Sequence, residues 1–309
     1  MKGGAVMFGE REVICFLGDS LTASGLWVAE VFEHILKTRR VKCYNCGVAG
    51  GRAEYAKEYL HRVCLSKNPT TVVMMYGMND ISFPLYSAEC TLSDKEEKKR
   101  EAISRHRASY EKIICDTLKF GADIILCTPL PYDEFDPDKE GENLHCQSAL
   151  DECSDFVRTM AEKYGLKLAD ISKAMLPIIK SDKTVMTQDR MHPTTRGYHV
   201  MSQAFLYEID EINSPEFDTP FKPEPWNHER YSVERRLKLI EFIDDVALFD
   251  HTKKNMSVAE KKAEAKRIYD SEKNKAAFLP MCCKYYLEHA EEKDTLTEEL
   301  IRRTVPPEH

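Results

Sequence analysis

Between residues 12 and 213 the chain repeats one pattern: a short apolar run of strand length, then a stretch long enough for a helix. The runs are EVICFL (12–17), VKCYNCGV (41–48), TTVVMMYG (70–77), DIILCTPL (123–130) and LKLADI (166–171). They are rich in Val, Ile and Leu and mostly unalternating, which is the pattern of strands covered on both faces. Helical stretches are expected at 25–38, 52–66, 94–120, 142–164 and 194–213. Ser93-Asp-Lys-Glu96 reads as a capping box opening one of them, and Gly165 as the residue just past the end of another. Strand–helix alternation of this kind predicts an α/β fold: a doubly wound, flavodoxin-like, parallel five-stranded sheet with flanking helices. In such sheets the site lies at the carboxyl ends of the strands.

The text changes after residue 213. SPEFDTPFKPEPWN (214–227) carries four prolines and no periodicity, and reads as a linker or strap. Beyond it the chain is helical throughout. Val233, Leu237, Ile240, Ile243 and Val246 fall at helical steps on one face, Ser257-Val-Ala-Glu260 is a second capping box, and Pro280 and Thr295-Leu-Thr-Glu298 mark further helix starts. The expected division is therefore 1–213 for the sheet domain and 214–309 for a Pro-rich linker with an all-helical C-terminal extension. That extension packs on the sheet domain, or on a second copy to make a homo-oligomer, or acts as a lid.

Composition removes several function classes. The 309 residues carry a net charge of −8, which disfavours a surface that tracks nucleic-acid phosphates. No apolar stretch approaches the roughly 18–20 residues that span a bilayer. The segment before the first strand, broken by Gly9-Glu10-Arg11, does not read as a secretory signal. The eleven cysteines show neither disulfide-framework nor zinc-ligand spacing, the only clusters being CYNC (43–46) and Cys282-Cys283. A reducing, cytoplasmic setting with no metal and no cofactor is the expectation. Redox work by Cys43 and Cys46 is the weaker alternative, because their segment reads as a strand.

Four loops at predicted strand ends carry residues with chemistry. They are Gly18-Asp19-Ser20-Leu21-Thr22, GVAGGRA (47–53), Gly77-Met78-Asn79-Asp80 and Asp189-Arg190-Met191-His192-Pro193. A glycine and an N-cap serine make an ordinary strand-to-helix turn, so Gly18-Asp19-Ser20 alone does not identify a nucleophile. A doubly wound sheet brings all four loops to one edge, however, and then Ser20, His192 and Asp189 have the types that nucleophilic acyl transfer needs. A serine hydroxyl requires an imidazole to take its proton, and the imidazole requires an acceptor on its other nitrogen. The Ser20 amide, the Gly50 amide and the Asn79 side chain could serve as oxyanion donors. Asp80 and Asp19 are read as shaping their loops, Trp27 as core, and His106, His145 and His199 as surface or core. Arg52, Tyr132 and Arg190 are candidate substrate contacts, with Tyr55, Phe83 and Tyr86 also near these loops.

In these blocks the chain resembles the SGNH hydrolases, the GDSL-type esterases and lipases. GDSLT, NCGVAGG, GMND and DRMHP stand in the family's order, and HPTTRGY (192–198) is similar to its usual continuation. The resemblance covers about 12–213 and implies the SGNH hydrolase fold, with Ser20 as nucleophile, Gly50 and Asn79 as oxyanion donors, and His192 as base oriented by Asp189. It selects Gly50 over the adjacent Gly51. The G-x-S-x-G elbow of α/β-hydrolases is absent. The implied activity is a metal-independent serine esterase acting on small acyl esters, with acetyl groups on an oligosaccharide as the leading substrate. A lysophospholipase or thioesterase is the alternative enzyme, and a catalytically silent binding or scaffold protein is the alternative from another class.

Overall fold

The computed structural model describes residues 8–9, 12–218, 229, 232–244, 256–272 and 278–304. Five strands, β1 (Val13–Gly18), β2 (Lys42–Gly47), β3 (Thr71–Met75), β4 (Asp123–Cys127) and β5 (Lys167–Ala169), form one sheet in the order β2-β1-β3-β4-β5. Every neighbouring pair is parallel. Gly18 stands level with Gly47 on one side and with Met75 on the other, so the first three strands end together. The order reverses direction beside β1, and that switch point opens a crevice at the carboxyl edge.

The unalternating runs follow from burial on both faces. Ile14 and Phe16 of β1 pack with Val73, Met75 and Ile125 in one layer, while Cys15 and Leu17 pack with Val72, Met74 and Ile124 in the other. The first layer is built by α2 (Leu26–Leu36), α6 (Ile171–Ser181) and α7 (Thr195–Glu208), the second by α3 (Ala53–Val63), α4 (Lys95–Phe120) and α5 (Gln147–Tyr164). Trp27, buried as expected, meets the Phe16 ring edge-on at 5.1 Å and Phe205 at 5.4 Å. The three rings join β1, α2 and α7, each pair adding about 0.5–1.5 kcal/mol beyond area burial.

Several local expectations change. The sequence reading places no helix at 171–181. Helix α6 forms regardless, burying Ile171, Met175 and Ile179 on one stripe, with Asp170 accepting from the Lys173 amide as its N-cap. The Ser93 capping box does not close. Asp94 is the N-cap residue without a capping bond, and its carboxylate takes Lys98 Nζ at 2.6 Å instead. Gly165 does end α5, in the left-handed conformation. Cys43 and Cys46 cannot act as a pair. Three residues apart on a strand they point to opposite faces, Cys43 into the first layer and Cys46 into the second.

The C-terminal helices are α8 (Val233–Phe242), α9 (Val258–Glu272), α10 (Phe278–His289) and α11 (Lys293–Thr304). Ser257 and Glu260 close their capping box in front of α9, and Pro280 falls in the first turn of α10, where a missing N–H costs little. Helix α11 starts two residues before Thr295. Val233, Leu237, Ile240, Ile243, Cys282 and Tyr286 lie in the same apolar cluster as Phe32, Leu36, Val41 and Cys43. The extension therefore adds to the first layer's core. Asp244 ties its helices together, 2.6 Å from Lys261 Nζ and 2.8 Å from the Tyr286 hydroxyl. Val246 and residues 219–227 of the linker lie outside the described residues.

Candidate active site

Strand β1 runs straight into α1 (Ser20–Ala23), one turn long. Asp19 is its extended N-cap, with Oδ1 accepting from the Leu21 amide at 3.0 Å. Ser20 is thus the first helical residue, and its own amide has no intrahelical acceptor. The turn is pressed onto β2. Asn45 Nδ2 donates to Thr22 O at 2.7 Å, and a Cβ on Gly47 would sit 2.3 Å from the Ala23 nitrogen. Only glycine lets the two backbones approach this closely. Turn and hydroxyl are one device: the turn sets where the hydroxyl stands.

The loop before α7 supplies the partner. Thr187 N donates to His192 O at 2.9 Å and Arg190 N to Thr187 O at 3.1 Å, folding Asp189 back onto the imidazole. Asp189 Oδ1 accepts from the Met191 and His192 amides at 3.0 and 2.9 Å and from the Thr187 hydroxyl at 2.7 Å. Asp189 Oδ2 is 2.6 Å from His192 Nδ1, and His192 Nε2 is 2.9 Å from Ser20 Oγ. Burial acts to raise the Asp189 pKa, but the His192 amide, the Thr187 hydroxyl, the His192 ring and the Met191 amide outweigh it and hold it at about 2. An ionised Asp189 on Nδ1 assigns the proton to that nitrogen and leaves Nε2 free to accept from Ser20. The arrangement is open to solvent, the His192 and Asp189 side chains being 39% and 45% exposed.

Behind the crevice lie the second and third loops. Gly51 has already committed its amide to Val48 O at 2.8 Å and is buried, whereas Gly50 is exposed, left-handed at φ +70°, and has nothing within 4 Å of a built Cβ. Asn79 Nδ2 donates one hydrogen to Gly51 O at 3.2 Å. Asp80 accepts from the Ala53 amide at 2.8 Å and lies 3.1 Å from His106 Nδ1, both side chains buried. It holds the start of α3 beside the Asn79 loop. Burial pulls the His106 pKa down, but Cys153 and Asp80 outweigh that and push it up. Asp19, also buried, is pushed up to about 7, chiefly by burial, which the Leu21 amide opposes and the negative Asp80 reinforces.

The candidate substrate contacts separate. Arg52 stays near the crevice, with Nη1 3.5 Å from Ser82 Oγ and its guanidinium over the Tyr55 ring. Tyr132 and Arg190 do not. Tyr132 is buried, donating to Glu142 O at 2.6 Å, and Arg190 is 3% exposed with its donors spent on main-chain carbonyls. Both hold the long loop after β4 instead of facing a ligand. Phe83 and Tyr86 pack in a cluster with Met78, Ile103 and Tyr132, against which Met191 also rests. Sequence reasoning missed Thr187 and Lys139, while His106, read as surface or core, is buried against Asp80. Thr187 had a local signal, a hydroxyl two residues before a carboxylate on a tight loop; Lys139 is brought in from a distant segment.

A sequence profile of the GDSL-like lipase/acylhydrolase family matches residues 16–200. An acetylxylan esterase from Geobacillus stearothermophilus is 22% identical over 222 residues, which is 65% of this chain and 95% of that one. Among solved structures, a gut microbial diltiazem-metabolizing enzyme superposes with a TM-score of 0.60 at 21% identity, over 66% of this chain. This chain spans about half (48%) of that enzyme. An α/β hydrolase from the metagenome of Lake Arreo, Spain, superposes with a TM-score of 0.55 at 22% identity, over 68% of this chain and 100% of that one. These likenesses concern the fold.

Proposed function

The chain belongs to the GDSL-like lipase/acylhydrolase family and is a carboxylic ester hydrolase, and from that premise we propose that it removes small acyl groups, acetyl first, from hydroxyls of an oligosaccharide through an acyl-enzyme on Ser20. The observation that carries this is the relay Ser20 Oγ–His192 Nε2–His192 Nδ1–Asp189, at 2.9 and 2.6 Å. His192 takes the Ser20 proton as Oγ attacks the ester carbonyl, and Asp189 stabilises the imidazolium. The oxyanion is met by the Ser20 and Gly50 amides and by the second amide hydrogen of Asn79; each such donor is typically worth ~10²–10³ in rate. Collapse expels the alcohol with the proton from His192. A water molecule, deprotonated by the same imidazole, then releases the acid and restores Ser20.

Two features support the carbohydrate reading over a long-chain lipid one. The His192 and Asp189 side chains are 39% and 45% exposed, which suits a bulky polar alcohol better than a long acyl chain, and a similar protein, at 22% identity, is an acetylxylan esterase. Hydrolysis of p-nitrophenyl acetate by wild type and Ser20→Ala is the test, with a loss of ~10³-fold or more expected in the variant at unchanged melting temperature. Equal rates in the two proteins would refute the nucleophile. Acetate, butyrate and octanoate esters compared side by side should favour acetate; a rise toward octanoate would turn the reading to a lysophospholipase or thioesterase. Release of acetate from acetylated xylo-oligosaccharides then tests the alcohol. Two inactive proteins on every ester would favour a binding or scaffold role.

A further inference from the structure

We propose that Arg190, which touches no reacting atom, is a positioning residue that holds the Asp189–His192 loop in its working geometry; the inference rests on the Ser20–His192–Asp189 reading. Its guanidinium is enclosed by main-chain oxygens of one segment. Nε donates to Gly141 O at 2.8 Å, Nη1 to Asp133 O at 3.0 Å and Asp136 O at 2.8 Å, and Nη2 to Lys139 O at 2.8 Å. The backbone of Arg190 is held as well, its carbonyl accepting from the Asp133 amide at 3.0 Å. Residues 133–141 thus form a strap, and Arg190 locks it to the loop between Asp189 and His192.

Three further observations place the lock on the loop as a whole. Lys139 Nζ, almost fully buried, reaches back to Met186 O at 2.6 Å and pairs with Asp133 at 3.2 Å. Glu140 N donates to Gln188 Oε1 at 3.0 Å, and a Cβ on Gly141 would lie 2.1 Å from Gln188 O. Arg190 itself is held at φ +67°, a conformation that side-chain-bearing residues adopt only where their surroundings enforce it. Loop residues Asp189 and His192 are exposed, so neighbours on the solvent side do not confine them. The strap behind confines them, and only a planar guanidinium offers the fork of donors that spans carbonyls in this way. Displacement of catalytic groups by ~1 Å can cost ~10² in rate.

Two substitutions separate the fork from the backbone. Arg190→Gly removes the guanidinium and relieves the left-handed backbone, and Arg190→Lys keeps a charge without the fork. With p-nitrophenyl acetate both should lower kcat by ~10²-fold while KM stays within about threefold, and low-millimolar guanidinium should restore part of the Arg190→Gly rate. Gly141→Ala, which pushes on the same strap with Arg190 intact, should lower kcat in the same direction and serves if the Arg190 variants do not fold. Val157→Ala, buried on the opposite face of the sheet, should lower the melting temperature with kcat unchanged. Arg190 variants that behave like Val157→Ala overturn the inference, provided Ser20→Ala is inactive. A fully active Ser20→Ala instead removes the triad reading itself, so the two failures are distinct.

Discussion

Asp19 and Asp189 flank Ser20 and His192 with opposite protonation tendencies. Asp189 is surrounded by donors and stays ionised to about pH 2, so its stabilising bonds persist above its ordinary range near pH 4 and are lost as pH falls through 2. At Asp19 full burial outweighs the Leu21 amide and, reinforced by Asp80, places the pKa at about 7. Between pH 4 and 7 the folded protein therefore holds a proton there that the unfolded chain has released, and stability falls as pH rises across that window. Asp19→Asn keeps an oxygen for the Leu21 amide and cannot ionise. Its melting temperature should gain on wild type from pH 5 to pH 8; a constant difference across that range would show that Asp19 ionises as freely folded as unfolded. The four named blocks were legible as loops at strand ends, because strand and turn composition is local. The protonation of Asp19 was not, since its cause is burial and a second carboxylate, Asp80, far along the chain.

At the scale of elements, the one-turn helix α1 is the critical piece. It carries Ser20, and its position is set by how closely Gly47 of β2 lets it approach. Gly47→Ala would drive a methyl into the Ala23 amide and displace the turn. Hydrolysis should fall by ~10²-fold or more, in line with the cost of displacing the proposed nucleophile, with circular dichroism little changed; normal turnover would mean that α1 adjusts without moving Oγ. Strand and helix existence followed from period and composition. Helix α6 shows the limit: no helix is expected there from the pattern, yet burial of Ile171, Met175 and Ile179 against the sheet outweighs the backbone bond that Pro177 lacks. The Ser93 box shows the converse, a good local cap displaced when Asp94 pairs with Lys98.

At the scale of the molecule, the sheet and the C-terminal helices share one apolar layer. Ile240 and Cys282 are fully buried in it beside Phe32 and Cys43. Ile240→Ala should cost about 2–5 kcal/mol of unfolding free energy, the usual range for a large core truncation, and leave kcat near wild type because the relay lies at the far, carboxyl edge. A loss below about 0.5 kcal/mol in denaturant titration would mean that the extension packs only loosely.

The sequence by itself determined the strand count, the parallel winding, the edge where the loops meet and the residue types that stand at that edge, because burial on both faces and strand-to-helix turns constrain local identity. Tertiary structure alone decided what depends on distant neighbours. It turned Arg190 and Tyr132 inward to carbonyls of the loop after β4, split Cys43 from Cys46 across the sheet, left the Gly50 amide rather than the Gly51 amide unspent, and merged the helical extension with the first layer. A side chain's type is written in the chain, but whether it faces solvent or a carbonyl is set by which segments fold against it.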